Sequence, residues 1–194
     1  SVRSSCNVGG FGIDGGISTL VGSSFAHPDQ LHIGVFGDLA FFYDMNVCGN
    51  RHVGNNVRIL LVNNGKGNEF RNYGHYCSIF GEDGDRYIAA AGHYGNKSPQ
   101  LIRHYARDLG YDYYFAATKE EFLENVTHFV NPVIGDHPII FEVFTDTDGE
   151  SGAIEIMRTF LVDRNTVIKN KIIGTIRGAL GKRGIEKVKL ILGK

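Results

Sequence analysis

Leu31-His32-Ile33-Gly34-Val35-Phe36-Gly37-Asp38 and, further on, Arg58-Ile59-Leu60-Leu61-Val62-Asn63-Asn64 are the two stretches on which the fold turns. Each is a short apolar run that stops at polar residues. Runs of this length, closed by Gly-Asp in one case and Asn-Asn-Gly in the other, suit strands better than helices. The second run is apolar at Ile59, Leu60, Leu61 and Val62 in succession, as expected of a strand covered on both faces. The 21 residues between Phe36 and Arg58 are enough for a parallel crossover, which needs about a dozen. Ala40–Val47 reads as the short helix within it, with Phe41, Phe42 and Met45 packing and Tyr43 beside them. A right-handed crossover then brings Asp38 and the Asn63-Asn64 pair to one sheet edge. Open α/β sheets bind their ligands at that edge.

Outward from these runs the chain alternates helix and strand. Ile13, Ile17, Leu20, Val21 and Phe25 recur at helical spacing over Ile13–Ala26. Gly65–Gly95 is long, irregular and rich in Gly, Asn, Tyr and His, a length that in a compact domain goes with function or with short helices. Ser98-Pro99 predicts a helix start, with Ser as N-cap and Pro in the first turn. Leu101, Ile102, Tyr105 and Leu109 line that helix and Gly110 ends it. Tyr113–Ala116 is a strand. Thr118-Lys119-Glu120-Glu121 is a capping box opening a helix with Phe122, Val126 and Phe129 inward. Pro138–Thr145 is the last strand, and Glu150–Leu161 a helix carrying Ile154, Met157 and Leu161. The expected fold is α/β, doubly wound, with a mainly parallel sheet and helices on both faces.

The chain has 194 residues, 42% hydrophobic and 21% charged, a composition of globular domains with a real core. No apolar stretch reaches the length of a spanning helix, so no membrane partner is expected. The net charge of −1 gives no nucleic-acid footprint. Charge is uneven, however: Arg164–Lys194 holds nine Lys/Arg against the single acid Glu186, a solvated face or a docking surface. Cys6, Cys48 and Cys77 are odd in number and lack metal-type spacing, which points to a reducing, cytoplasmic setting. The first residue is not Met, so a processed or excised piece is expected.

Two loops carry candidate chemistry. Gly10, Gly12 and Gly15 form a literal G-x-G-x-x-G, with Asp38 further on where a dinucleotide fold places its ribose acid. That gives one alternative, an NAD-binding oxidoreductase domain. The preceding Ser1–Val8 is a poor strand, however, and a Gly-rich turn capping a helix explains the same residues. A non-catalytic interaction domain with the basic C-terminal segment as its surface is the other alternative. The second loop pair is Gly37-Asp38-Leu39-Ala40 with Asn63-Asn64-Gly65-Lys66-Gly67. Mg2+ takes octahedral oxygen ligands, commonly one or two carboxylates plus phosphate oxygens. Asp38 offers a carboxylate, and an Asn carbonyl adds an oxygen without further negative charge. The glycines let backbone approach, and a helix starting near Ala40 presents free N–H groups to a phosphate.

Gly37-Asp38 followed by Asn63-Asn64 resembles the thiamine-diphosphate signature, a Gly-Asp joined by some 25 residues to Asn-Asn. Gly12-Ile13-Asp14-Gly15, Gly37–Asn46 and Val62-Asn63-Asn64 with Phe70 are similar to the C-terminal, diphosphate-binding domain of the 2-succinyl-5-enolpyruvyl-6-hydroxy-3-cyclohexene-1-carboxylate synthases. The resemblance covers roughly residues 7–145. It implies a diphosphate- and Mg2+-binding domain over 1–162, with 163–194 as a basic extension packed on or beside it. It implies that Asp38, the Asn64 side chain and the Lys66 carbonyl bind Mg2+. Backbone around Asp38, Leu39, Ala40 and Gly67 would meet the diphosphate, and Ile13 would prop thiamine diphosphate in its bent form. Gly12, Gly37, Asn68 and Phe70 complete the expected cofactor surroundings. The implied reaction is decarboxylation of a 2-oxo acid, with the carbanion protonated or transferred, in a lyase or transferase. Val8 stands where the synthase pattern has an Arg, and Glu69 where it has an apolar residue, so the substrate is left open. Arg71, Tyr73, His75 and Arg103 are compensating candidates, and His93 is a candidate proton carrier or a structural His. The family's activating glutamate lies on a separate pyrimidine-binding domain, from the same or a partner chain. This chain alone is therefore expected to be inactive, and the complete enzyme a homo-oligomer, at least a dimer.

Overall fold

The computed structural model describes residues 2–6, 13–93, 95 and 98–161. The chain divides into two compact units, Ser1–Glu150 and Ser151–Lys194. The first unit holds a four-stranded sheet in the order β1-β2-β4-β3, with β1 at His32–Gly37, β2 at Val57–Asn63, β3 at Asp112–Ala116 and β4 at Ile139–Phe144. All pairs are parallel. Gly37 stands opposite Val62, Val62 opposite Val143, and Ala116 opposite Val143, so the carboxyl ends share one edge.

Side-chain alternation along the strands divides the core in two. Ile59, Leu61 and Ile140 point to the face covered by α1 (Gly16–Ala26), α2 (Asp38–Asp44) and α5 (Leu101–Asp108), through Ile17, Val21, Phe41, Ile102 and Ala106. Ile139 and Phe141, with the partly buried Leu60 and Val143, point to the other face. There they meet Phe122, Val126 and Phe129 of α6 (Lys119–Phe129). Helices on both faces of a parallel sheet make the doubly wound α/β arrangement that the strand patterns imply.

Several boundaries differ from the sequence reading by a few residues, two of them for a reason visible in the structure. The helix expected from Ser98-Pro99 begins at Leu101. Ser98 Oγ accepts from the Gln100 N–H at 3.3 Å and its carbonyl accepts from Leu101 N–H, so Ser98 forms a turn of its own ahead of the helix. The helix expected over Ala40–Val47 instead begins at Asp38, stops at Asp44 and tightens into a 3-10 turn, Met45–Gly49. The capping box is present as expected: Thr118 Oγ1 accepts from Glu121 N–H at 3.2 Å, and the Glu121 carboxylate takes the Thr118 N–H at 3.2 Å.

Between β2 and α5 the irregular segment is built from 3-10 turns at Asn68–Arg71 and Tyr76–Gly84 and the single-turn helices α3 (Asp85–Ile88) and α4 (Ala90–His93). A lone antiparallel bridge, Lys66 to Ala89, ties its ends together. The last helix, α7 (Thr147–Leu161), starts in the first unit. In the second unit Arg158 pairs with Glu155 at 2.6 Å. The basic segment 163–194 lies outside the described residues. Among the described residues no helix is long and apolar enough to cross a membrane.

Candidate functional site

Asp38 follows the last residue of β1, and Asn63 is the last residue of the neighbouring β2. Parallel pairing with Gly37 opposite Val62 therefore places them side by side. Asp38 is only 1% exposed. Its carboxylate accepts the Leu39 N–H at 2.7 Å and, across the gap, the N–H of Gly65. Gly65 has φ +83, a left-handed conformation that side chains disfavour, and this turn is what aims its N–H back at Asp38.

The amides divide their work. Asn63 Nδ2 donates to Glu142 Oε1 at 2.6 Å, and its Oδ1 accepts the Gly65 N–H at 3.3 Å. Asn64 Oδ1 accepts the Lys66 N–H at 3.0 Å, and its Nδ2 donates to Glu150 at 2.9 and 3.1 Å. The Lys66–Ala89 bridge is closed by its flanking residues, Gly67 N–H to the Ile88 carbonyl at 2.7 Å and Ala90 N–H to the Gly65 carbonyl at 2.9 Å. In such a pair the central residue's own carbonyl points away from its partner, so the Lys66 carbonyl is turned out of the bridge. The Gly67 N–H, by contrast, is already committed to Ile88. A Cβ at Gly67 would lie 2.9 Å from Leu39 Cδ2, so a larger residue there would have to move the Leu39 side chain.

The structure thus sets Asp38, flanked by Gly37, Leu39 and Ala40, beside Asn63 and Gly65, and brings Leu39 near Gly67. It turns the Asn64 and Asn68 amides towards Glu150, with Lys66 on the loop between them. Phe70 follows on the same loop, 39% exposed, edge-on to the His75 ring at 5.2 Å. Ile13 precedes α1 and is 43% exposed. Gly12 and Val8 lie outside the described residues, as does the side chain of His93 at the end of α4. Gly10 is also outside them. Among the described residues, 2–6 form no strand and Gly15 is a left-handed N-cap of α1.

Three acidic residues surround this edge, and sequence reasoning picked out one. Glu142, in the middle of β4 and 1% exposed, accepts from Asn63 and from the Tyr113 hydroxyl at 2.5 Å. Glu150 accepts from Asn64, from Asn68 and from Thr145 Oγ1 at 2.5 Å. The signal for Glu142 was available as a single charge inside the apolar run Ile139–Phe144. Glu150 had only its place just beyond that strand. On the rim, Asp85 joins Lys66 Nζ at 2.6 Å and the Arg71 guanidinium. Burial opposes its ionisation, but the bonds from Lys66 and Arg71 hold its carboxyl below the usual range.

Burial pushes the Asp38 carboxyl up from 3.8 to about 6, against the pull of backbone bonds from Gly65, Leu39 and Asn64, with Glu150 adding to the rise. Burial raises Glu142 too, and the Asp38 charge adds to it. A carboxyl raised on folding favours the fold while protonated. The stability from Asp38 is complete below about 3.8 and is lost as pH rises through about 6. In metal-free buffer, wild type should therefore lose about 3 °C in midpoint relative to Asp38→Ala between pH 5 and 7.5, from roughly 1 kcal/mol of linkage. Thermal unfolding of both proteins across that range checks this, and a difference constant with pH contradicts it.

The candidate donors at this edge are oxygens: the Asp38 carboxylate, amide carbonyls and the Lys66 backbone. That set suits a hard cation of the Mg2+ type. Among the described residues no group of three or more His, Cys, Asp or Glu is arranged for a metal. A site here would thus depend on amide and backbone oxygens.

No protein-family model matches the chain. Among curated proteins it is similar to 2-succinyl-5-enolpyruvyl-6-hydroxy-3-cyclohexene-1-carboxylate synthase of Bacteroides fragilis, 34% identical over 153 residues, which is 78% of this chain and 26% of that protein. The enzyme of the same name from Bacteroides thetaiotaomicron is 35% identical over 150 residues, 75% of this chain and 25% of its own length. That from Christiangramia forsetii is 44% identical over 71 residues, 37% of this chain and 12% of its own. The chain spans about a quarter of the length of the first two.

Proposed function

Since the chain is related to the 2-succinyl-5-enolpyruvyl-6-hydroxy-3-cyclohexene-1-carboxylate synthases over about three quarters of its length, we propose that it is the diphosphate- and Mg2+-binding part of a thiamine-diphosphate-dependent enzyme acting on a 2-oxo acid. The observation that carries this is a buried Asp38 carboxylate beside the Asn63-Asn64 turn at the ends of adjacent parallel strands, where it accepts the Gly65 N–H.

The residues present fit such a group. An isolated carboxylate this deeply buried resists ionisation, and a divalent cation beside it would reverse that preference. Asn68 is buried and its Oδ1 is unpaired, so an electropositive neighbour has an acceptor waiting. Asp38, Asn64 Oδ1 and the Lys66 carbonyl are the proposed protein ligands of Mg2+, with diphosphate oxygens completing the shell. Asp85 restrains Lys66 and Arg71 at the rim, where their charge favours an anionic ligand. When bound, thiamine diphosphate supplies the electron sink that decarboxylation of a 2-oxo acid requires.

A pyrimidine-binding domain, from the same polypeptide or a partner, would complete the site in a cytoplasmic homo-oligomer. Val8 and Glu69 leave the particular 2-oxo acid and acceptor to be found by assay. The test is CO2 release from a panel of 2-oxo acids by this chain joined to such a domain. Release that requires both Mg2+ and thiamine diphosphate, and is lost in Asn64→Ala, is expected. Release indifferent to either cofactor contradicts the proposal, and NADH fluorescence enhancement without metal would favour a dinucleotide site instead.

A further inference from the structure

Glu150, in the first turn of α7, gives both carboxylate oxygens to the loop after β2. Oε1 accepts from Asn64 Nδ2 at 2.9 Å and from Thr145 Oγ1 at 2.5 Å. Oε2 accepts from Asn64 Nδ2 at 3.1 Å and from Asn68 Nδ2. With both oxygens engaged by three donors, Glu150 is better suited to orienting its neighbours than to ligating a cation itself.

The orientation follows from elementary chemistry. An ionised carboxylate only accepts hydrogen bonds, so the atom each amide turns towards Glu150 must be nitrogen. For Asn64 a second constraint agrees, because the Lys66 N–H, a donor, faces the opposite atom at 3.0 Å. For Asn68 the consequence is sharper. This side chain is 6% exposed, and its Oδ1 has no hydrogen-bond partner. A buried acceptor left unpaired is unfavourable. Rotating the amide to relieve it would set oxygen against carboxylate, which is worse. Glu150 therefore holds in place an oxygen that the protein itself leaves unpaired. The amide that donates to Glu150 carries that oxygen with it, and an electropositive ligand would give it the partner it lacks.

We propose that Glu150 is a positioning residue that fixes the amides of Asn64 and Asn68 together, and that Asn68 Oδ1 is a further oxygen used by the hydrated divalent cation, which rests on the cation site proposed above. Asn68 thereby acts on the metal, and Glu150 acts through the two asparagines.

The test is Mn2+ titration of the full chain followed by electron paramagnetic resonance, with thermal unfolding in metal-free buffer alongside. Asn68→Ala and Glu150→Gln should each weaken Mn2+ binding at least about tenfold. Asn68→Ala removes the bond to Glu150 along with the unpaired oxygen, so the metal-free midpoint should fall by only a few degrees while Mn2+ affinity drops; a merely structural Asn68 would show a lowered midpoint with Mn2+ affinity intact. Asp38→Ala serves as the reference. If Asp38→Ala loses Mn2+ while Asn68→Ala and Glu150→Gln bind like wild type, the positioning role is overturned and the cation site stands. If Asp38→Ala also binds like wild type, both fall. Should Glu150→Gln fail to fold, Asn68→Ala decides by the same two readouts.

Discussion

Asp38→Ala should lower the affinity for Mg2+ with thiamine diphosphate at least about a hundredfold, roughly 2.7 kcal/mol, close to loss of binding in a calorimetric titration. The magnitude follows from how the neighbouring acids are used. Glu142 is occupied by Asn63 and Tyr113, and Glu150 by Asn64, Asn68 and Thr145. Asp38 is bound mainly by backbone N–H groups of Leu39 and Gly65, which leaves lone pairs on a carboxylate of about four acceptor sites. Removing it takes away the anion and leaves only neutral amide and carbonyl oxygens for a divalent cation. The titration belongs on a polypeptide that also carries a pyrimidine-binding domain. Affinity within about threefold of wild type, or roughly 0.7 kcal/mol, would contradict the assignment of Asp38.

Arg58→Ala should destabilise the fold by about 3–5 kcal/mol, a midpoint roughly 10 °C lower for a domain of this size. Arg58 lies inside β2 and is 2% exposed. Its guanidinium donates to the carbonyls of Phe129 at 2.6 Å, of Asn131, and of Val133 at 2.7 Å. Those carbonyls end α6 and begin the turn into β4, so one side chain fastens the return of the chain to the sheet. A cation there also complements the negative end of the helix dipole. Alanine leaves the carbonyls unpaired and a cavity beside them. Guanidinium chloride unfolding measures the loss, and a change below about 1 kcal/mol would mean that water or a shifted loop satisfies them instead.

What the sequence made legible was local. Leu31–Phe36 and Arg58–Val62 carry strand character in their own composition, and the turn residues after them mark where each strand ends. The capping box at Thr118 needs only four residues to be recognised, and it is present. Asp38 and Asn64 were visible because each follows directly on such a strand. What stayed hidden depends on partners far along the chain. Asn63 meets Glu142 across 79 residues, and Asn64 meets Glu150 across 86. Nothing near Glu150 in sequence shows that it faces the loop after β2. The order β1-β2-β4-β3 likewise comes from pairing, not from any single segment. Ser98-Pro99 misled because the same hydroxyl that caps a helix also closes a turn of its own. The segment between β2 and α5 has no period to read, since it is assembled from single turns tied by the Lys66–Ala89 bridge and the Asp85 pairs.

Everything proposed for this chain depends on Asp38 and Asn64 sharing one cation. Anomalous scattering from Mn2+ in crystals of the complete enzyme with thiamine diphosphate would locate it. A single peak about 2.2 Å from an Asp38 carboxylate oxygen and from Asn64 Oδ1, bridging to the diphosphate, is expected. A peak bound elsewhere, or diphosphate held with no metal beside Asp38, would contradict it.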